Sequence, residues 1–360
     1  MKHDSHGVNL FEISKKYGFK EEDIVDFSSN INPFGMPKSA KDEVIRRIDD
    51  LSTYPDPEYR SLKASIAKYT GACEEDILIG SGTSEIIANY IRYVNPKRAI
   101  LLSPCYSEYE NELRKIGSEI FYYDLEEEND FEIKIESLIE KINKNDVELF
   151  IFANPNNPTG TILAVAEVEE ILKQTKCKMF VDETYVEFAD KKVYSQIELT
   201  KKYDKVIVAR STSKFFASPG IRLGYATTSD EKCKEYFFKD SLIWGVNIVA
   251  TIAGEKMFSD NKYQDEVYKF VEEEREYALE FLNGLEGLKV YKSKGNFIMC
   301  KLLGGKTAAE LYDYLIPQKQ VVRNLASFKN FGEEYFRFCI LGREDNRKLL
   351  LNIEKFLKEQ

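Results

Sequence analysis

The chain has 360 residues, 43% of them hydrophobic and 31% charged, with a formal net charge of −10. That length suits one large domain with a smaller one, and the composition excludes a disordered or fibrous chain. An acidic balance with no basic stripe argues against a nucleic-acid binder, so an anionic substrate must find a local cluster of cations.

The N-terminus, MKHDSHGVNLFEI, lacks the apolar segment of a signal peptide. No run reaches the roughly 18 consecutive apolar residues of a membrane helix, so a cytoplasmic protein without membrane contact is expected. Residues 1–35 read as an irregular arm, because DFSSNINPFGMP is crowded with turn formers. A helical pattern over 37–50 is ended by the two prolines of STYPDPEY. Residues 58–70 predict an amphipathic helix with Leu62, Ile66 and Tyr69 on one side.

From residue 77 short apolar runs end in small or polar residues: DILIGSG, RAILLSP (98–104), VELFIFANP (147–155), KMFVDET (178–184) and KVIVARS (205–211). Helix-length segments at 84–92, 107–116, 133–143 and 164–175 lie between them. This alternation predicts an α/β fold, a mostly parallel sheet with helices on both faces. Ligands of such sheets bind beyond the carboxyl ends of the strands.

Residues 261–283 predict one long charged helix. The remainder, 287–360, reads as strand, helix, strand, strand, helix, a small α+β domain. Its strands are VYKSKGNFIMCKL and YFRFCIL, and its helices 307–315 and 344–358. The expected division is a large domain over 37–260 and a smaller one combining 1–36 with 261–360. Cys73, Cys105, Cys177, Cys233, Cys300 and Cys339 are scattered without a CxxC pair, so neither a metal site nor a disulfide framework is expected.

The strand ends carry the candidate chemistry. GSGTSE (80–85) follows a strand and opens a helix, so its amides, with Ser81, Thr83 or Ser84, can form a phosphate nest; a plain tight turn is the competing reading. Tyr106 in SPCYSEYE sits where a ring can stack on a flat cofactor, or simply pack in the core. ANPNNPTG (153–160) offers the Asn157 amide to a phenolate oxygen; a structural turn is the alternative. In VDETY, Asp182 can pair with a protonated ring nitrogen and Tyr185 can reach the ring hydroxyl. A helix cap by Asp182 or Thr184 would look similar.

RSTSKFFASPGIRLGYA (210–226) holds Lys214 among small hydroxyl and apolar residues, a setting that disfavours the ammonium form, as an imine-forming lysine requires. Ser211, Ser213 and Arg222 stand close enough to hold a phosphate. A surface lysine is the bland alternative, and FFASPG does not look like a solvated face.

Together NPNNPTG, VDETY and RSTSKFFASPGIRLGY resemble the signatures of fold-type I pyridoxal-phosphate enzymes of the class I/II aminotransferase superfamily. Within it the chain is similar to the histidinol-phosphate aminotransferase group, including its threonine-phosphate decarboxylase branch. The resemblance implies pyridoxal 5'-phosphate held by Lys214 as a Schiff base, with Asp182 at the ring nitrogen. It implies Asn157 and Tyr185 at the ring oxygen and Tyr106 stacked on the ring. Gly82, Thr83, Ser84, Ser211, Ser213 and Arg222 would surround its phosphate. Tyr54 would reach the phosphate of a neighbouring subunit, which implies a homodimer with shared active sites. Arg337 matches the arginine that grips the substrate carboxylate, and Arg323 the second basic residue facing the distal group; for Arg323 a surface salt bridge is the alternative.

The arm discriminates between the branches. HGVN (6–9), then DFSSNINPFG, resembles the HGGN and DFSxNINPxG of threonine-phosphate decarboxylases, with Val8 departing from the pattern. An arm bearing Lys2, His3, His6 and Asn32 would then close over a phosphomonoester; a disordered tail is the alternative. The expected reaction is decarboxylation of L-threonine O-3-phosphate, or of a close relative such as phosphoserine, for corrinoid synthesis. The alternative is transamination of histidinol phosphate or another small amino-phosphate with 2-oxoglutarate. A purely regulatory protein would need a sensor or DNA-binding module, for which the chain has no room.

Overall fold

The computed structural model describes residues 9–240 and 242–359. The described part of the arm opens with a helix and not with coil: α1 (Leu10–Tyr17) is capped by Asn9, whose side chain accepts from the Glu12 N–H, and closed by Gly18 at φ 73°. β1 (Val25–Asp26) follows. α2 (Lys38–Arg46) is shorter than expected and passes into a 3-10 turn over Ile48–Ser52. α3 (Arg60–Thr70) buries Leu62 and Ile66.

The alternating section then runs β2 (Ile77–Gly80), α4 (Thr83–Val94), β3 (Arg98–Ser103), α5 (Ser107–Lys115), β4 (Glu119–Asp124), α6 (Ile135–Lys144), β5 (Leu149–Ala153), α7 (Val165–Gln174) and β6 (Lys178–Asp182). Two single turns, α8 (Lys191–Tyr194) and α9 (Ile197–Thr200), precede β7 (Val206–Ser211) and β8 (Gly224–Thr227). The seven strands form one sheet in the order β2-β8-β7-β6-β5-β3-β4. It is mostly parallel; β8 runs antiparallel to both of its neighbours, β7 and β2.

The sheet is buried on both faces because its strands are apolar at successive positions. Ile100, Leu102, Phe150, Phe152, Val181 and Val208 face one core. The alternate residues Leu101, Leu149, Ile151, Phe180, Ile207 and Ala209 face the other. β3, β5, β6 and β7 run the same way, so their carboxyl ends at Ser103, Ala153, Asp182 and Ser211 share one edge of the sheet.

Helices α10 (Glu231–Asp240), α11 (Ile248–Ser259) and α12 (Asn261–Asn283) lead to β9 (Leu288–Val290), β10 (Phe297–Leu302), α13 (Ala308–Leu315), β11 (Gln320–Val321), β12 (Arg323–Asn324), β13 (Tyr335–Cys339) and α14 (Arg343–Lys358). The expected strand VYKSKGNFIMCKL is two strands: a turn in which Gly295 N–H donates to Ser293 Oγ (3.1 Å) separates β9 from β10. The four strands β12-β13-β10-β9 form an antiparallel sheet, and β1 of the arm pairs with β11. Phe27 extends that link, donating to Val321 O (2.9 Å) and accepting from Cys339 N (2.8 Å). Among the described residues no helix is long and apolar enough to cross a membrane.

The tightest crossing joins β8 to the turn before α4. A Cβ on Gly224 would stand 2.6 Å from both Gly82 C and Thr83 N, backbone atoms that cannot swing aside. Gly224→Ala is therefore expected to cost about 1–3 kcal/mol of stability, as overpacking does, and to weaken phosphate binding at Thr83. Urea denaturation with a cofactor titration checks this; unchanged values in both would contradict it.

Candidate active site

A cavity of about 650 Å³ opens along the edge where the parallel strands end. Lys214 projects into it just after β7, half-buried, and its Nζ donates to Ser29 O (2.7 Å). Burial, then the field of Arg337, lowers its ammonium to about 8. Asp182 ends β6 and is 4% exposed. Its Oδ1 accepts from Thr184 N (3.0 Å) and Thr184 Oγ1 (2.6 Å), and its Oδ2 from Tyr109 OH (2.8 Å). Burial raises this carboxyl above the usual range, and the groups that offset it are hydroxyls and an amide, not a cation.

The opposite wall comes from distant sequence. Tyr185 OH accepts from Asn30 Nδ2 (3.2 Å) in the arm. Arg337, on β13, donates through Nη2 to Ser28 O (2.7 Å) and through Nη1 to Asn157 Oδ1. Its Nε is buried without a hydrogen-bond partner among the described residues. Burial lowers its guanidinium from the ordinary value.

The anion end is the start of α4. Gly82 holds φ 83° and leaves room for the Arg222 guanidinium, into which a Cβ would project. Thr83 and Ser84 face the cavity, while the Ser81 N–H is already taken by the Glu85 carboxylate. Ser211 Oγ donates to Ser213 Oγ (2.8 Å) and accepts from Ser213 N (3.1 Å). Amides at a helix start, two hydroxyls and a guanidinium suit a phosphomonoester.

Tyr106 lines the cavity, its ring edge-on to Tyr109 with centroids 5.2 Å apart. Arg323 lines the outer end, its guanidinium 5.8 Å from the Phe328 ring centroid. Lys329 joins it there, Nζ lying 3.1 Å from the Tyr122 ring centroid.

The structure thus gathers Lys214, Asp182, Tyr185, Asn157, Tyr106, Thr83, Ser84, Ser211, Ser213, Arg222, Arg323 and Arg337 around one space, with Gly82 behind it. Asn32 is a correction. It is 2% exposed and does not line the cavity: Oδ1 accepts from Phe34 N (2.7 Å), and Nδ2 donates to Tyr263 OH (2.9 Å) and to Phe215 O. With every polar atom spent on the protein it anchors the arm, and no group is left for a substrate. Tyr54 lies outside the cavity, exposed and stacked on Trp244 at 4.2 Å. His6 lies outside the described residues. Sequence reasoning missed Ser28, Ser29, Asn30, Tyr109 and Lys329; the density of polar turn formers around Asn30 was the available signal for the first three.

Among the described residues no cation pairs with Asp182, Lys214 is bonded to a carbonyl and not to a carboxylate, and the one acid in the first turn of α4, Glu85, is spent on the Ser81 N–H while Thr83, Ser84 and Arg222 face the cavity. A group with a protonated ring nitrogen, an aldehyde and a phosphate answers all three needs. Pyridoxal phosphate has this make-up, and the fold and site define a pyridoxal-phosphate-dependent enzyme of the type I fold. The profile of the family Aminotransferase class I and II matches residues 22–353, and the chain belongs to that family.

The chain is 36% identical, over 97% of its length and 93% of the relative's, to a provisionally named threonine-phosphate decarboxylase of Caldanaerobacter subterraneus subsp. tengcongensis. It is 34% identical to an adenosylcobalamin biosynthesis bifunctional protein of Leptospira interrogans, covering 96% of this chain and 40% of that protein. The solved histidinol-phosphate aminotransferase from Clostridium acetobutylicum superposes with a TM-score of 0.86 at 31% identity, covering 92% of this chain and 98% of that one.

Attachment of the cofactor requires a neutral lysine. In the cofactor-free protein the rate of attachment is therefore expected to rise with pH through about 8, where Lys214 loses its proton. Stopped-flow absorbance of the imine band checks this, with Lys214→Ala as the blank. A rate independent of pH between 6.5 and 9.5 (about 1.5 pH units either side) would contradict it.

Proposed function

We propose that the protein decarboxylates L-threonine O-3-phosphate to CO₂ and 1-aminopropan-2-yl phosphate for corrinoid assembly, acting as a cytoplasmic homodimer. The observation that carries this reading is the near full-length likeness to the provisionally named threonine-phosphate decarboxylase. The likeness to the adenosylcobalamin biosynthesis protein supports the pathway.

When bound, pyridoxal phosphate supplies an imine-forming aldehyde and a pyridinium that accepts the electrons of a broken Cα bond. Lys214, neutral in part near pH 8, is the amine that holds it and later returns a proton to Cα. Asp182 keeps the ring nitrogen protonated. Asn157 Nδ2 and Tyr185 OH bind the ring oxygen, and Tyr106 covers the ring face. Thr83, Ser84, Ser211, Ser213 and Arg222 hold the cofactor phosphate.

Arg337 offers its unpartnered Nε to the substrate carboxylate. Arg323, with Lys329 beside it, meets the substrate phosphate at the outer end. By gripping the carboxylate, Arg337 would orient the substrate for loss of CO₂, with the bound cofactor taking up the electron pair of the Cα–carboxylate bond and Lys214 returning the proton.

The second reading is transamination of histidinol phosphate or a similar amino-phosphate, favoured by the solved aminotransferase at 31% identity. It would use the same groups, with Lys214 taking the Cα proton in place of the loss of CO₂.

The dimer reading rests on an exposed apolar face at Ile48, Leu51, Tyr54, Leu242, Ile243 and Trp244, which a second copy would cover. It would bring Tyr54 to the partner's phosphate. Sedimentation is expected to give one species of twice the chain mass; a monomer at micromolar concentration would refute it.

The enzyme assay is direct. With threonine phosphate alone, stoichiometric CO₂ without any keto acid is expected, and Arg323→Met is expected to raise KM by roughly ten-fold or more, the loss of a charge-assisted contact. Absence of CO₂, with glutamate formed from histidinol phosphate and 2-oxoglutarate, would replace the decarboxylase reading with the second one.

A further inference from the structure

Tyr109 takes no part in the chemistry assigned so far, yet it touches two members of the site. It lies on α5, close to one turn beyond Tyr106, and is fully buried. Its ring meets the Tyr106 ring edge-on at 89°, and its phenol donates to Asp182 Oδ2 at 2.8 Å. The other carboxylate oxygen is occupied by both Thr184 donors. One acceptor position on Oδ2 therefore remains for a ring N–H.

We propose that Tyr109 is a positioning residue that acts through Asp182, fixing on which side of the carboxylate–ring contact the shared proton rests. The inference rests on the ring-nitrogen role proposed above for Asp182.

The physical argument concerns one proton and two bases. A carboxylate in a buried site is a stronger base than in water, and it draws the proton from the ring nitrogen toward itself. A neutral ring is a poor acceptor of the electrons released at Cα. Each hydrogen bond donated to the carboxylate stabilises its ionised form and returns the proton to the nitrogen. Thr184 supplies two such bonds to one oxygen, and Tyr109 supplies the only one on the oxygen that is left for the ring, among the described residues.

A phenol suits this task. Burial, reinforced by Asp182 itself, holds Tyr109 well above the usual phenol range, so it stays a donor at working pH. Among the described residues the phenols of Tyr106 and Tyr185 also feel the field of Asp182, and both are likewise raised by burial and neutral over the same range. The same residue seats Tyr106, so the face and the nitrogen of the ring are set from one side chain. Tyr109→Phe separates these effects, because it keeps the ring contact and deletes the donor.

The experiment uses holoenzyme loaded with pyridoxal phosphate labelled with ¹⁵N in the ring. Nitrogen NMR is recorded for the parent, Tyr109→Phe, Asp182→Asn and the double variant, and Lys214 and the phosphate cradle are intact in each. The expected result is a pyridinium shift in the parent and a displacement toward neutral pyridine in Tyr109→Phe. Asp182→Asn should move it further, and the double variant should match Asp182→Asn alone. Turnover of Tyr109→Phe should fall roughly ten-fold or more, the loss of a hydrogen bond to a charged group, with KM little changed.

An unmoved shift in Tyr109→Phe beside a displaced one in Asp182→Asn would overturn the role of Tyr109 and leave that of Asp182 standing. An additive displacement in the double variant would show that Tyr109 does not act through Asp182, and overturns the proposal. An unmoved shift in Asp182→Asn would overturn both.

Discussion

Two cations, Lys214 and Arg337, share one buried site, and the site depends on what keeps them there. Like charges in a low dielectric repel, and the field of Arg337 is one reason the Lys214 ammonium falls to about 8. The compensation is main-chain. Ser29 O accepts from Lys214 Nζ at 2.7 Å, and Ser28 O, one residue earlier, accepts from Arg337 Nη2 at 2.7 Å. A two-residue piece of arm thus gathers residue 214 from the turn after β7 and residue 337 from β13. Asn296 Nδ2 donates to Asn30 O (3.0 Å), and Asp26 accepts from the Ser28 and Ser29 hydroxyls, so the piece is itself held. Carbonyls moderate the repulsion without neutralising either charge, which leaves the lysine easily deprotonated and the arginine available to an anion.

Behind the strand ends lies a second charged assembly with a different task. Arg210 Nε donates to Glu183 Oε2 at 2.9 Å, and Glu187 stands 3.8 Å away, all three almost without exposure. Arg210 is the neighbour of Ser211, and Glu183 the neighbour of Asp182, so the pair ties β7 to β6 where their site residues leave the sheet. A buried ion pair adds little net stability over an apolar pair of equal size; its use is to fix geometry. Asp182 and Ser211 inherit that fixity, the one proposed for the ring and the other for the phosphate.

How much of this was legible depends on the distance in sequence over which each contact forms. β5 is buried at all five positions and reads as an unbroken apolar run. β4 stands at the sheet edge with exposed Glu119 and Asp124 at its ends, so its run is too broken to register. β8 is four residues that begin with glycine. Lys214, Asp182 and Asn157 each follow a readable run, and their local context marks them. The arm contacts span separations of 185 and 309 residues, and no local pattern reports them. The choice of Asn32 over Asn30 shows the same limit at closer range. Asn30 adopts φ 57°, which interrupts the extended chain, so two asparagines two positions apart do not share a face.

That interruption bears on the chemistry. Asn30 reaches Tyr185, Ser28 carries Arg337, and both lie in the segment whose sequence resembles the decarboxylase branch. Decarboxylation and transamination need the same electron sink and the same lysine; they differ in which Cα bond stands perpendicular to the ring. A tenfold preference corresponds to about 1.4 kcal/mol. A hydrogen bond to a charged group is worth about 1.5–3 kcal/mol, so one contact from Arg337 Nε to the carboxylate, made in one rotamer and lost in the other, is large enough to decide the outcome. On the role proposed for Arg337, reaction choice would turn on how firmly the arm backbone fixes one guanidinium. The residues proposed to touch the ring would serve both reactions, and that is why motifs which declare the cofactor so clearly are silent about the bond that breaks.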